Sequence, residues 1–327
     1  MDNIEPQTRL KGKYVAIVVC WLLGNGCLFP WNSMLTIEDY YIYLFPLNLE
    51  TSSKGGFGAF IGICTISGAF GVADAHVQGG MVGDLSYMQP EFIQSFVAGL
   101  AASGALTSGL RLITKATFKN SKDGLKKGAI SEGCKTILPD LAAGGIQTIP
   151  KEDGDYAKTQ ERKENKKLLF ENIDYLLDMF LIYALTLSIF PGFISEDTGA
   201  HSLGSWYALV LIEMYNVGDL IGRYIPLLEF LKLESRKLIT VATLSHFLLV
   251  PTFYFTAKYG DQGWMIAFTS FLGISNGYLT VCVMTSAPKG YKGPEQNALG
   301  NLFVLFLSSG IFAGVIFDWL WLIGKGW

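Results

Sequence analysis

The chain has 327 residues, half of them hydrophobic and only 16% charged, with a formal net charge of −3 and a mean hydropathy of +0.34. Soluble domains carry about 25% charged residues, so this composition points to a polytopic membrane protein and away from a basic nucleic-acid surface. The five cysteines form no CxxC or Cys/His ligand pattern, and no HExxH, P-loop or GxGxxG motif occurs, so neither a metal nor a cofactor is expected.

Taken in order, the first apolar run covers 14–36 and follows Arg9, Lys11 and Lys13. It continues without an A-x-A cleavage site, so it reads as a retained span rather than a signal peptide. Leu28, Trp31, Asn32 and Leu35 fall at i, i+3, i+4 and i+7 on one face, and Pro30 interrupts the backbone ladder beside them. An intramembrane Asn needs a polar partner or water. The second run, 57–82, holds Asp74, His76 and Gln78 among glycines. Asp74 and Gln78 share a face, whereas His76 points elsewhere and reads as a packing histidine. The third run, 92–114, is rich in Gly, Ala and Ser, which suits tight helix packing.

Residues 116–172 change character. This segment holds eleven basic residues and no long apolar run, and reads as a charged cytoplasmic loop. Five further spans are expected at 173–194, 205–231, 238–257, 264–287 and 299–323. The chain therefore divides into an N-terminal part, 1–115, the loop, and a five-span part, 173–327.

The run 205–231 is long enough for a single spanning helix, yet it carries Glu213, Asp219 and Arg223. A charge near the centre of such a helix costs roughly 2.5–3.5 kcal/mol on insertion scales. Asn216, Asp219 and Arg223 share a helix face with Glu213, and Asp219 and Arg223 can neutralise each other at i,i+4. Gly218 and Gly222 leave a second strip bare in GxxxG spacing. One reading is a structural ion pair. The other is the polar wall of a cavity.

Gly273-Ile-Ser275-Asn-Gly277 matches the G-x-S-x-G hydrolase pattern, but it lies in an apolar helix with no His or Asp partner in view, so an enzyme is not expected. Charge asymmetry raises a conflict. The N-terminus and the loop 116–172 both read as inside, yet three apolar runs separate them, and three crossings end on the opposite side. Of the three, 57–82 is the weakest candidate to insert.

Leu28-Phe-Pro30-Trp31-Asn32, Gln78-Gly-Gly, Phe190-Pro191-Gly192, Asn216…Asp219…Arg223 and Ser275-Asn-Gly-Tyr278-Leu279 together resemble the equilibrative nucleoside transporters. The stretch Ala287 to Gly300 resembles the plant members in particular. The resemblance implies an all-α, polytopic, major-facilitator-like two-bundle transporter with about eight spans here, and an incomplete N-terminal bundle. Three spans of an eleven-span pattern are missing, two at about Pro46–Leu47 and one at about Ile130–Ser131. It further implies transport of purine and pyrimidine nucleosides by alternating access. Leu28, Trp31, Asn32, Gln78, Asn216, Asp219 and Arg223 are then the substrate-binding residues. Asp74 is the candidate for proton coupling, with a purely structural hydrogen bond as its alternative. The expected partners are nucleosides, protons, membrane lipid and full-length homologues, and the expected location is the plasma membrane, with endoplasmic reticulum and vacuole as alternatives. The rival function is a non-transporting shortened form that is retained or pairs with full-length copies.

Overall fold

A computed structural model describes residues 12–37, 57–119, 165–192, 202–259, 262–291 and 293–322. Every regular element among them is a helix. These are α1 (Lys13–Thr36), α2 (Phe57–Leu85), α3 (Pro90–Phe118), α4 (Asn165–Glu171), α5 (Ile173–Ile189), α6 (Tyr207–Tyr224), α7 (Arg236–His246), α8 (Leu249–Tyr259), α9 (Gln262–Ser286) and α10 (Pro294–Leu322). Five stretches are long and apolar enough to cross a membrane: α1, α3, α7 with α8, α9, and most of α10. The molecule is thus an all-α polytopic bundle. Most of the loop 116–172, both positions assigned to missing spans and much of the link 195–204 lie outside the described residues.

Prolines set two boundaries that differ from the expected ones. The run 205–231 forms an 18-residue helix followed by two 3-10 turns, Ile225–Leu227 and Glu229–Leu231. Pro226 brings no N–H to the ladder, and the chain turns extended at Leu228. The run 238–257 is likewise split into α7 and α8 at Phe247 and Leu248, because the Pro251 ring occupies the space of a bond to the carbonyl four residues back. By contrast, α1 runs straight through Pro30.

Close-packed pairs build the bundle. α1 lies parallel to α3, with Lys13 paired to Glu91 at 2.5 Å at one end and Asn32 donating to Ser103 at 2.7 Å further along. α2 runs antiparallel to α1, where Trp31 stacks on Phe70 with centroids 6.5 Å apart. Its far half docks on α10, where Asn297 donates to Asp84 at 3.4 Å. The run 57–82 therefore packs on α1 and α10, with Ile61, Ile66, Val72 and Val77 left exposed. His76 is exposed rather than packed, and its Nδ1 is satisfied by its own helix at the Val72 carbonyl, 2.8 Å away.

α3 is buried continuously from Phe92 to Gly104, because α1 covers one side and α6 another. The expectation of tight packing for this Gly/Ala/Ser-rich run holds. The α6–α9 seam is closer still. A Cβ added at Gly218 or Gly222 would lie closer than 3.0 Å to the carbonyls of Ser270 or Ile274. One added at Gly273 or Gly277 would do the same to Tyr215 or Asp219. Two GxxxG strips thus face each other backbone to backbone. The G-x-S-x-G pattern is one of those strips.

Side-chain pairs fix the helix directions. α6 is antiparallel to α3, since Gln94 reaches the Arg223 carbonyl (3.1 Å) while Ser108 meets Asn216 (3.1 Å). The C-terminal end of α3 places Lys115 and Lys119 over the Trp206 ring, beside the start of α6. The start of α5 lies at the other end of the bundle, where Asn172 donates to Tyr291 after α9 (2.8 Å). α3 therefore finishes at one end of the bundle and α5 begins at the opposite end.

Candidate functional site

A cavity of about 360 Å³ lies between α1, α2 and α3 on one side and α5, α6, α9 and α10 on the other. That volume falls within the range of about 300–1,000 Å³ that holds small molecules. Leu28, Trp31, Asn32, Gln78, Asn216, Asp219 and Arg223 all line it, and so does Asp74. The residues singled out from sequence, from three helices distant in the chain, are thus brought to one place.

The C-terminal wall is an ordered polar chain. Arg223 donates from Nε to Asp219 Oδ2 at 3.0 Å and pairs with the same oxygen through a terminal nitrogen at 2.8 Å. Its other terminal nitrogen crosses to α3 and donates to the Val97 carbonyl at 2.5 Å. The second Asp219 oxygen accepts from Asn276 Nδ2 at 2.8 Å, and Asn276 Oδ1 accepts in turn from Thr186 at 3.0 Å. Asp219 and Arg223 are only 5% and 6% exposed. A buried ion pair survives when its remaining lone pairs and N–H groups are also satisfied, and here α3, α5 and α9 satisfy them. Asn276 and Thr186 were not singled out from sequence. A lone Asn in an apolar run carries no address, and the only pointer was its place in the Ser275-Asn-Gly motif.

The N-terminal wall uses amides. Asn32 Nδ2 donates to Ser103, and Gln78 Nε2 donates to Asp74 Oδ2 at 2.6 Å. Cys27 donates to the other Asp74 oxygen at 3.0 Å. Flat apolar surface is present on both sides of the cavity. Trp31 lies on the α1 side, and Phe190 stacks on Tyr215 at 3.9 Å between centroids on the other. Glu213 shares the α6 face but stays outside the cavity wall, hydrogen-bonded to Ser108 at the α3–α6 contact.

One sequence expectation needs correcting. Ser275 does have a histidine neighbour, since His246 Nε2 lies 2.8 Å from its Oγ. The pair faces a separate groove of about 650 Å³ between α7, α8 and α9. Ser275 Oγ also bonds its own helix at Phe271 (2.7 Å), and His246 Nδ1 has no hydrogen-bond partner among the described residues, so none of their carboxylates orients the ring as a hydrolytic triad requires.

The nucleoside transporter family profile matches residues 146–323. The chain is 50% identical to equilibrative nucleotide transporter 3 of Arabidopsis thaliana, with 98% of this chain and 97% of that protein aligned. It is 49% identical to equilibrative nucleotide transporter 2, with 98% of each covered, and 48% identical to equilibrative nucleotide transporter 5, with 99% and 98% covered, both from the same organism. The first alignment runs over 408 positions against a chain of 327 residues, so at least 81 of its positions have no residue here.

Proposed function

The chain belongs to the equilibrative nucleoside transporter family, and from that premise we propose that its cavity binds a neutral nucleoside and that the two sides of the bundle carry it across a membrane by alternating access. The observation that carries this reading is the convergence of polar groups from α1, α2, α6 and α9 on one cavity with aromatic faces on either side. A nucleoside is flat and apolar on its base faces and rich in hydroxyls on its sugar. Trp31, Phe190 and Tyr215 suit the base faces. Asp219 accepts from sugar hydroxyls and Arg223 donates to them, while Asn32, Gln78 and Asn216 offer both functions.

Charge favours the nucleoside over its phosphate. Among the described residues, two carboxylates, Asp74 and Asp219, line the cavity against one cation, Arg223, which Asp219 and Val97 already hold. A phosphate monoester brings about −1.5 to −2 charge at neutral pH. Among the described lining residues it would meet a net acidic wall with no uncommitted cation. The relatives carry "nucleotide" in their names, so this chain's preference is worth measuring directly. Proton coupling, in this reading, falls to Asp74, the cavity carboxylate without a basic partner among the described residues.

A second reading has its own support. The alignment leaves at least 81 positions unmatched, room for three spans of about 20 residues with their links. α3 ends at one end of the bundle and α5 begins at the other, and the family pattern has a further crossing between these two helices. A form lacking those spans keeps the cavity wall but binds better than it carries, and pairs with full-length copies. Uptake of radiolabelled uridine in a transport-deficient host, measured beside binding to purified protein, separates the two. Uptake above the empty-vector level supports the carrier. Binding without uptake supports the shortened form, and absence of both uptake and binding overturns the nucleoside assignment.

A further inference from the structure

Asp74 and Gln78 stand one turn apart on α2, both on the cavity wall. Gln78 Nε2 donates to Asp74 Oδ2 at 2.6 Å, while Cys27 on α1 donates to Oδ1 at 3.0 Å and holds the carboxylate from a second helix. An ionised carboxylate offers only acceptors, so in that state of Asp74 the amide must turn its NH2 toward it and its carbonyl away. Gln78 has no other partner among the described residues, and its carbonyl oxygen is not a buried, unsatisfied atom. That oxygen and the remaining N–H are therefore open to the cavity in a fixed order.

We propose that Asp74 is a positioning residue that fixes the Gln78 amide and so decides which base edge the cavity prefers. The inference rests on the nucleoside-binding reading. Two other cavity amides, Asn32 and Asn216, make the contrast. Asn32 donates to Ser103 and Asn216 to Ser108, and either amide can reverse if the hydroxyl redirects its own proton, now given to the Leu100 carbonyl and to Glu213, a change that an ionised carboxylate does not allow. Asn276 likewise faces a carboxylate, Asp219, but its oxygen is taken by Thr186 and it is 1% exposed, so among the described cavity amides Gln78 is the oriented one that keeps an open edge. An amide free to turn satisfies a donor–acceptor edge in either order and is indifferent to its sense, whereas a fixed one is not.

Adenosine and inosine test this because their shapes match and their edges are reversed. Adenosine places an amino donor beside the N1 acceptor, and inosine places an oxo acceptor beside an N1–H donor. Equilibrium binding of both should be measured on the purified full chain in lipid nanodiscs. The wild type should bind one of them about tenfold more tightly, the scale set by one correctly matched amide–base pair. In Asp74→Asn and Asp74→Ser, whose side chains can either accept from or donate to Gln78, the ratio should fall to within about twofold while the favoured nucleoside still binds. Two variants are used so that a folding loss in one does not decide the matter. A wild-type ratio near one, or a ratio unchanged in either variant, overturns the proposal. Loss of both nucleosides from both variants, in monodisperse protein, overturns it in favour of direct contact between Asp74 and the ligand. If the wild type binds no nucleoside at all, the nucleoside reading itself fails.

Discussion

At the scale of single residues, the Asp219–Arg223 pair is the centre of the cavity wall, and its energetics give a signed prediction. Replacing Arg223 alone leaves a buried carboxylate whose remaining side-chain partner is Asn276. Removing one partner of a buried pair costs about 3–5 kcal/mol, while replacing both by neutral groups of similar size is far milder. Unfolding of Arg223→Met in detergent should therefore start at a lower temperature than that of the double variant Asp219→Asn, Arg223→Met. A single variant as stable as the double one would show that Asp219 is not desolvated. This pair was legible in the sequence, because i,i+4 spacing and the cost of a charge in lipid both demand it. Glu213 shows the limit of that reasoning. It lies on the same face by angle, yet it meets Ser108 and not the cavity, since helix phase fixes direction but not what stands opposite.

Among the elements, glycine spacing was readable and its partner was not. Gly218 and Gly222 announced a close contact, but nothing in the sequence said that Gly273 and Gly277 would supply the facing strip. Periodicity describes one helix at a time. The breaks at Pro226 and between α7 and α8 were missed for a related reason, since apolar composition runs through both while the backbone does not. The seam gives a second prediction. Gly277→Ala pushes a methyl group into the Asp219 backbone and should destabilise the protein by about 1–3 kcal/mol. Gly80→Ala, where a Cβ meets nothing within 4 Å, should be neutral or stabilising by up to about 1 kcal/mol. Thermal unfolding of the two variants side by side checks this, and equal effects would contradict the backbone-to-backbone packing.

Over the whole molecule, helix directions place Ser202, which bonds Gln262, at one end of the bundle and Glu234, paired with Lys289 at 2.5 Å, at the other. Lys232, Arg236 and Lys237 surround Glu234, so that end should be cytoplasmic. In a background freed of native cysteines, Ser202→Cys should react with a membrane-impermeant thiol reagent in intact cells and Glu234→Cys only after permeabilisation. The reverse pattern would show the bundle inverted. Charge counting alone had left the first three runs in conflict with the loop. In the structure α1, α2 and α3 run in alternating directions, α3 ends at one end of the bundle and α5 begins at the other. The cavity itself is the part most directly open to test. Saturable binding of radiolabelled adenosine to the purified chain in lipid nanodiscs should be displaced by unlabelled uridine, and adenosine monophosphate should compete at least tenfold less well, because one committed arginine faces two carboxylates. Absence of saturable binding, or displacement by the monophosphate at the same concentration as uridine, would contradict the assignment of this cavity to neutral nucleosides.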